Sequence, residues 1–586
     1  MGRTRKRIVA LASAAVVAVG IAGCGSGDTS SSDSEPGTTS ERSEAVKGGD
    51  ITYLEDSVIQ SLDPQRTYTG RDISNYGRLF SRSWLVFPAG ATDATEGTTP
   101  IPDMATDLGT KNEDASQWQF TLKEGPTWQD GSPVTCEDFK YGVSRTFATD
   151  VITGGPNYII GYLDIEKDAE GDPAYKGPYT GEGQELFDQA VTCEGNTITY
   201  NFSKPWPDFP LAIASLRAFD PYREAEDQGD QSNFTVFSSG PYMLEGEWNE
   251  DTGGTFVRNP EWDGGEDTTR EANFDSLTFQ IGDAPEVIID RLIADSGEDT
   301  NAISVQNITA AQYPQITGDV ESRSINIESP FTNYLVPNFN TQTDPLVRQA
   351  LALATNRAAY VGALGGELAS TPALSIVNPD VPGYQANDAF GSPEGGDVEG
   401  AAALLEQAGV ELPYPIKLTY PIGSDAGNSA FAALKATYDE AGFEVELDGL
   451  DPSGPYYDTI QQPGSDSDLI WGGWGADWPS VSTVIPPLFD SRLNLTKASN
   501  GQDYGNYDSK EANALMDQAG AEADLDAANE IYTELDALLA TDVAYIPLDT
   551  TKFYYLRGSN IENYVNSVST SGYPDLGVIS VAGGGE

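Results

Sequence analysis

Histidine is absent from all 586 residues. That removes Ser-His-Asp and Cys-His catalysis and the usual imidazole metal sites. Positive charge is scarce: 32 Lys and Arg stand against 91 Asp and Glu, for a net charge of −59. Nucleic acid and anionic membrane surfaces are therefore poor partners. A field of this sign favours cationic ligands, and it also suits a plainly solvated surface. A GxSxG elbow, a P-loop and a GxGxxG after a strand are all missing. No cofactor, no metal and no nucleic acid are expected.

What is present is 39% apolar and 10% aromatic, as in a globular protein. The length exceeds one compact core and predicts two or three lobes. Arg3, Arg5, Lys6 and Arg7 form a basic start, followed by an apolar run from Ile8 to Ala22. The run is short for a bilayer span but suits a signal peptide. It closes on Ile21-Ala22-Gly23-Cys24, which resembles the bacterial lipobox, with cleavage before an acylated Cys24. Residues 1–23 are expected to be the signal and residues 24–47, rich in Ser, Gly, Thr and acids, a flexible tether. Setting Cys24 aside leaves Cys136 and Cys193. Outside the cell these fit one disulfide, with two buried thiols as the alternative.

The stretch with most chemical content is Asp468-Leu469-Ile470-Trp471-Gly472-Gly473-Trp474-Gly475-Ala476-Asp477-Trp478. Leu469 to Trp471 read as a short buried strand. The glycines leave backbone open to close approach, so an extended ligand could pair with it as an added strand. The indoles offer apolar walls with a polar handle. Asp477 could meet a positive charge. The competing reading is a Gly/Trp-rich turn packed inside a core.

Around this stretch the patterning predicts an α/β protein. Ile51 to Leu54 and Trp118 to Leu122 read as strands, and Thr135 with Asp138 as a capping box opening a helix through Phe147. Residues 151–196 show little periodicity and read as a surface excursion. A hairpin runs from Ser239 to Arg258, and an extended segment from Ile325 to Asn340. Helices near 345–354, 398–408 and 430–441 alternate with strands near 416–420 and 443–447. That places the Gly/Trp stretch at the C-terminal end of a strand, where open α/β sheets bind ligands. A helix follows through Leu535, then two strands, Val543 to Leu548 and Phe553 to Leu556.

Several segments recur in order: Phe120-Thr121-Leu122-Lys123-Glu124-Gly125 with Trp128-Gln129-Asp130-Gly131, Ser239-Gly240-Pro241-Tyr242, Asn338-Phe339-Asn340 with Val347-Arg348-Gln349-Ala350-Leu351, Trp474-Gly475-Ala476-Asp477, and Ala544-Tyr545-Ile546-Pro547-Leu548. Together they resemble the bacterial extracytoplasmic solute-binding proteins of the oligopeptide/dipeptide-binding class, the ligand-capturing lipoproteins of ABC importers. The resemblance implies an α/β fold of two lobes with a two-segment hinge. It puts a first-lobe core at residues 48–66, 230–324 and 546–586, an inserted subdomain at 67–229 and a second lobe at 325–545. It implies a monomer, lipid-anchored through Cys24 on the outer face of the cell membrane, that passes a peptide to permease subunits and is not an enzyme. In such proteins the Asp of a W-x-x-D pattern takes the ligand's α-ammonium; here that is Asp477. Gly473 and Gly475 would supply backbone bonds, and Trp471, Trp474 and Trp478 would line the cleft. One departure stands out: dipeptide binders carry an Arg after the strand that ends here at Tyr420, and residues 421–429 have none. Longer peptides therefore fit better than short ones fixed at both ends. An oligosaccharide ligand, suited to the tryptophans, and a secreted carboxylate-pair hydrolase are the alternatives. Arg348 is expected to support the hinge or make a surface ion pair.

Overall fold

The computed structural model describes residues 42–168, 171–387 and 391–584. The signal segment, Cys24 and most of the tether lie outside the described residues. Residues 42–47 run along the first lobe: the Ser43 amide donates to Asn563 Oδ1 (2.9 Å) and Lys47 Nζ to Asn273 Oδ1 (3.0 Å).

The first lobe is built on a five-stranded sheet in the order Ala302–Ser304, Asp50–Glu55, Ser276–Ile281, Gly253–Arg258, Tyr242–Asn249. Its alternating apolar residues, among them Tyr53, Phe256, Leu277 and Phe279, form one core. A separate four-stranded antiparallel sheet holds Gln117–Thr121 and Thr197–Asn201 at its centre. Trp118 and Phe120 point from it into a second core, while Gln119 faces solvent. The helix Cys136–Arg145 covers that core. Its start is a reciprocal capping box, with the Thr135 amide donating to Asp138 Oδ2 at 2.8 Å and the Asp138 amide donating to Thr135 Oγ1 at 3.3 Å. A disulfide joins Cys136 at its first turn to Cys193, with Cα atoms 6.0 Å apart.

The second lobe is a six-stranded mixed sheet in the order Ser370–Pro372, Ile546–Leu556, Ser324–Pro337, Leu469–Gly475, Tyr414–Pro421, Phe443–Leu450. The helices Pro345–Ala354, Val398–Ala408 and Asp425–Glu440 pack on one of its faces. Two long antiparallel neighbours, Ser324–Pro337 and Ile546–Leu556, link the lobes. Their far ends, at Ile325, Phe553 and Tyr555, are in the first-lobe core, and Leu335, Ile546 and Leu548 are in the second. The pairing slips between Glu328 and Thr332 and again between Asn333 and Tyr334.

Four readings change. Val543 to Leu548 and Phe553 to Leu556 are not two strands. Ile546–Leu556 is one continuous strand, and Pro547 sits beside the register slip between Asn333 and Tyr334, a position that tolerates proline. The strand from Leu469 runs on to Gly475. Residues 151–196 are no mere surface excursion: Ile159, Tyr175 and Phe187 are buried in the second core. Among the described residues Arg348 makes neither a hinge contact nor a surface ion pair. It is buried under the second lobe, donating to the carbonyls of Gln342, Thr343 and Asp542 with its guanidinium over the Phe339 ring.

Candidate ligand site

Gly472, Gly473 and Gly475 are needed because the neighbouring strand comes close. A Cβ on Gly472 would sit 2.5 Å from the Tyr334 ring, and one on Gly475 2.9 Å from Phe331. Their backbone pairs on one side with Tyr334, Asn333 and Phe331. On the other side the strand pairs with Tyr414–Pro421 only at Leu469 and Ile470. From Gly472 onward that edge has no strand partner among the described residues, an arrangement open to strand addition.

The strand delivers Ala476 and Asp477 to the wall of a cavity of about 600 Å³ between the lobes, within the range of small-ligand pockets. The first lobe contributes Tyr68, Ile73, Leu216, Arg217 and Tyr573, and the crossing strand Ile327 and Phe331. Two arginines on the wall already have partners. Arg78 makes a two-point contact with Asp575 (2.9 and 3.2 Å), and Arg217 pairs with Asp220 at 3.3 Å.

Asp477 has no cationic partner among the described residues. Tyr68 Oη donates to its Oδ2 at 2.9 Å, and Tyr158 Oη donates to the same oxygen. The carboxyl is pushed up to about 6 by burial, against the pull of the two phenols. Both phenols are raised, by burial first and then by Asp477, and stay protonated donors. The site is thus an anion in a partly dry wall, held by neutral donors, with its charge uncompensated.

The remaining predicted residues are distributed differently. Trp471 and Trp474 do not reach the cavity. They pack among second-lobe side chains, and Trp474 Nε1 donates to Thr483 O at 2.8 Å. Gly473 is exposed but lies off the cavity wall, whereas Gly475 is on it. Trp478 touches the wall, yet its ring is buried in the first-lobe core beside the four-stranded sheet. Its edge meets Tyr158, with centroids 4.6 Å apart, and Nε1 donates to Asp208 Oδ2 at 2.7 Å. Sequence reasoning missed Tyr68 and Tyr158. Nothing local to either marks it, because Asp477 is hundreds of positions away in the chain.

Residues 99–496 match the description "Bacterial extracellular solute-binding proteins, family 5 Middle". The chain belongs to that family. This family 5 protein is 24% identical over 523 residues to the periplasmic oligopeptide-binding protein OppA of Salmonella typhimurium, covering 87% of this chain and 88% of that one. It is 25% identical over 442 residues to the probable deoxycholate-binding periplasmic protein YgiS of Escherichia coli, covering 73% and 76%. Among solved structures, clavulanic acid biosynthesis oligopeptide binding protein 2 superposes with a TM-score of 0.82 at 26% identity, over 92% of this chain and 97% of that one. The family 5 fold of two lobes agrees with these neighbours. Among the described residues no helix is long and apolar enough to cross a membrane.

Proposed function

We propose that the protein captures peptides outside the cell and hands them to the permease of an ABC importer, held at the membrane by lipid on Cys24. The observation that carries this reading is Asp477: a carboxylate on the wall between two lobes, with no cation beside it. A ligand ammonium would supply the missing charge through a charge-assisted bond that is strong in such surroundings. Leaving the carboxylate desolvated and unpaired is costly, so an ammonium ligand favours lobe closure. The free strand edge beyond Ile470 gives a peptide backbone somewhere to pair. Relatives named for oligopeptide binding support the same reading. The oligosaccharide alternative is weakened because Trp471 and Trp474 turn their rings away from the cavity.

The test is native mass spectrometry of protein purified without refolding, joined to melting curves with an alanine ladder from dialanine to hexaalanine. Trapped peptide, or a melting temperature raised by ladder members that are recovered intact, supports the proposal. Trapped glycan, peptide turnover, or no response to any ladder member overturns it.

A further inference from the structure

Asp208 occupies the N-cap position of the helix Phe209–Ser215, yet its side chain makes no cap bond. An N-cap carboxylate ordinarily accepts from the second or third helical N–H. Here the second position is Pro210, which has none, and the Leu211 amide donates to the Asp208 carbonyl instead. The carboxylate is thereby released from its own helix.

It is spent on the other lobe. Oδ2 accepts from Trp478 Nε1 at 2.7 Å and from Ser482 Oγ at 2.6 Å. Asp208 is only 3% exposed, and no basic side chain pairs with it among the described residues. A buried carboxylate without a cation is costly unless its hydrogen bonds are made. Those bonds exist only while the two lobes are in contact. The Trp478 indole adds to them: it is a second-lobe residue set among first-lobe aromatics, against Tyr158 and Trp206. A lesser tie, Lys111 Nζ to Ala523 O at 2.7 Å, crosses at an exposed rim.

We propose that Asp208, with Trp478 and Ser482, is a fastener between the lobes that sets how long a captured solute stays, and that Trp478 serves this contact rather than reading the ligand. This rests on the closing-lobe reading above. When the lobes part, the carboxylate returns to water, so the contact releases as well as holds. Asp208 and Ser482 lie off the cavity wall and only Trp478 touches it, so the fastener governs residence time for every ligand alike and leaves selectivity to Asp477.

The test uses the full chain and tetraalanine. Asp208→Ala leaves its helix folded, because the side chain does not cap it, and Trp478→Phe keeps an aromatic ring, smaller than the indole, while removing the donor. Each is expected to speed tetraalanine dissociation about tenfold. The double variant should be no faster than Asp208→Ala alone, since that change already removes the Trp478 bond together with the Ser482 bond. The affinity ratio between tetraalanine and N-acetyltetraalanine should stay as in the parent. Small-angle scattering should show a larger radius of gyration in both variants as purified. Unchanged dissociation, additive effects in the double variant, or a shifted affinity ratio overturns the proposal. Should no ladder peptide bind the parent protein, the peptide reading falls, and unchanged scattering would then bring down the fastener as well.

Discussion

Tyr68, from the first lobe, donates its phenolic hydrogen to Asp477, from the second, across 2.9 Å. Tyr158 reaches the same carboxylate oxygen. The anion is therefore oriented by two neutral donors that cannot cancel its charge, and the proposed role as receptor for a positive group rests on that arrangement.

Replacing Asp477 by Asn keeps the shape and removes the charge. Affinity for a free-amine peptide is expected to fall by roughly 10- to 100-fold, the scale of a hydrogen bond to a charged group. Affinity for the N-acetylated peptide should hardly move. Calorimetric titration of both peptides checks this, and equal losses for the two would remove Asp477 from the ammonium role. The melting temperature of the unliganded variant should change little.

The same carboxyl gives a pH dependence. It is raised to about 6 by burial, and only its ionised form attracts an ammonium. Affinity should therefore rise between pH 5 and pH 7, by about tenfold over that window. In Asp477→Asn the slope should vanish. A parent protein with flat affinity across the window contradicts the assignment.

Asp549 lies on the crossing strand Ile546–Leu556, fully buried, with Asn333 Nδ2 donating to Oδ1 at 3.1 Å and, among the described residues, no hydrogen-bond partner for Oδ2. Burial raises it to about 7. The folded protein thus holds this proton where the unfolded chain, with an ordinary carboxylate, has released it. Its contribution to stability is fully present below the ordinary carboxylate range and is lost as pH rises toward 7. Asp549→Asn should melt about 5 °C above the parent at pH 8 and close to it at pH 4. Melting curves at the two pH values decide the matter.

Gly472→Ala would drive a methyl group to 2.5 Å from the buried Tyr334 ring. Both backbones are fixed by sheet pairing, so the ring has to yield. A loss of about 1–3 kcal/mol is expected, the usual cost of overpacking, seen as a lower urea midpoint at unchanged slope. Tyr334→Leu in the same chain should recover part of it.

Much of this architecture was legible in the chain itself. The capping box at Thr135 and Asp138, the hairpin at Ser239, and the helix–strand alternation after Asp344 are local signals, set by caps and periodicity, and the structure has them. The Gly/Trp stretch was legible as a strand leading to an acid. What each indole does was not, because period and composition say that a ring is buried but not in which lobe. Trp474 and Trp478 stand four positions apart, one held by its own lobe and the other by the opposite one. The Asp208 contact was hidden for the same reason. A proline two residues after an aspartate looks like an ordinary helix start, and only the fold reveals where the freed carboxylate goes.

The two strands that cross between the lobes, Ser324–Pro337 and Ile546–Leu556, are bonded to each other along most of their length. A doubled ribbon bends readily out of its plane and resists shear within it, so the closure proposed above would be confined to a single swing. The strand ending in Asp477 is laced to one edge of that ribbon, and it rides with the swing as rigid freight. Under the proposed closure, approach of the acid to Tyr68 and Tyr158 would be geared to one angle, and the charge proposed to recognise the ligand would not be presented without the opposite jaw arriving at the same moment.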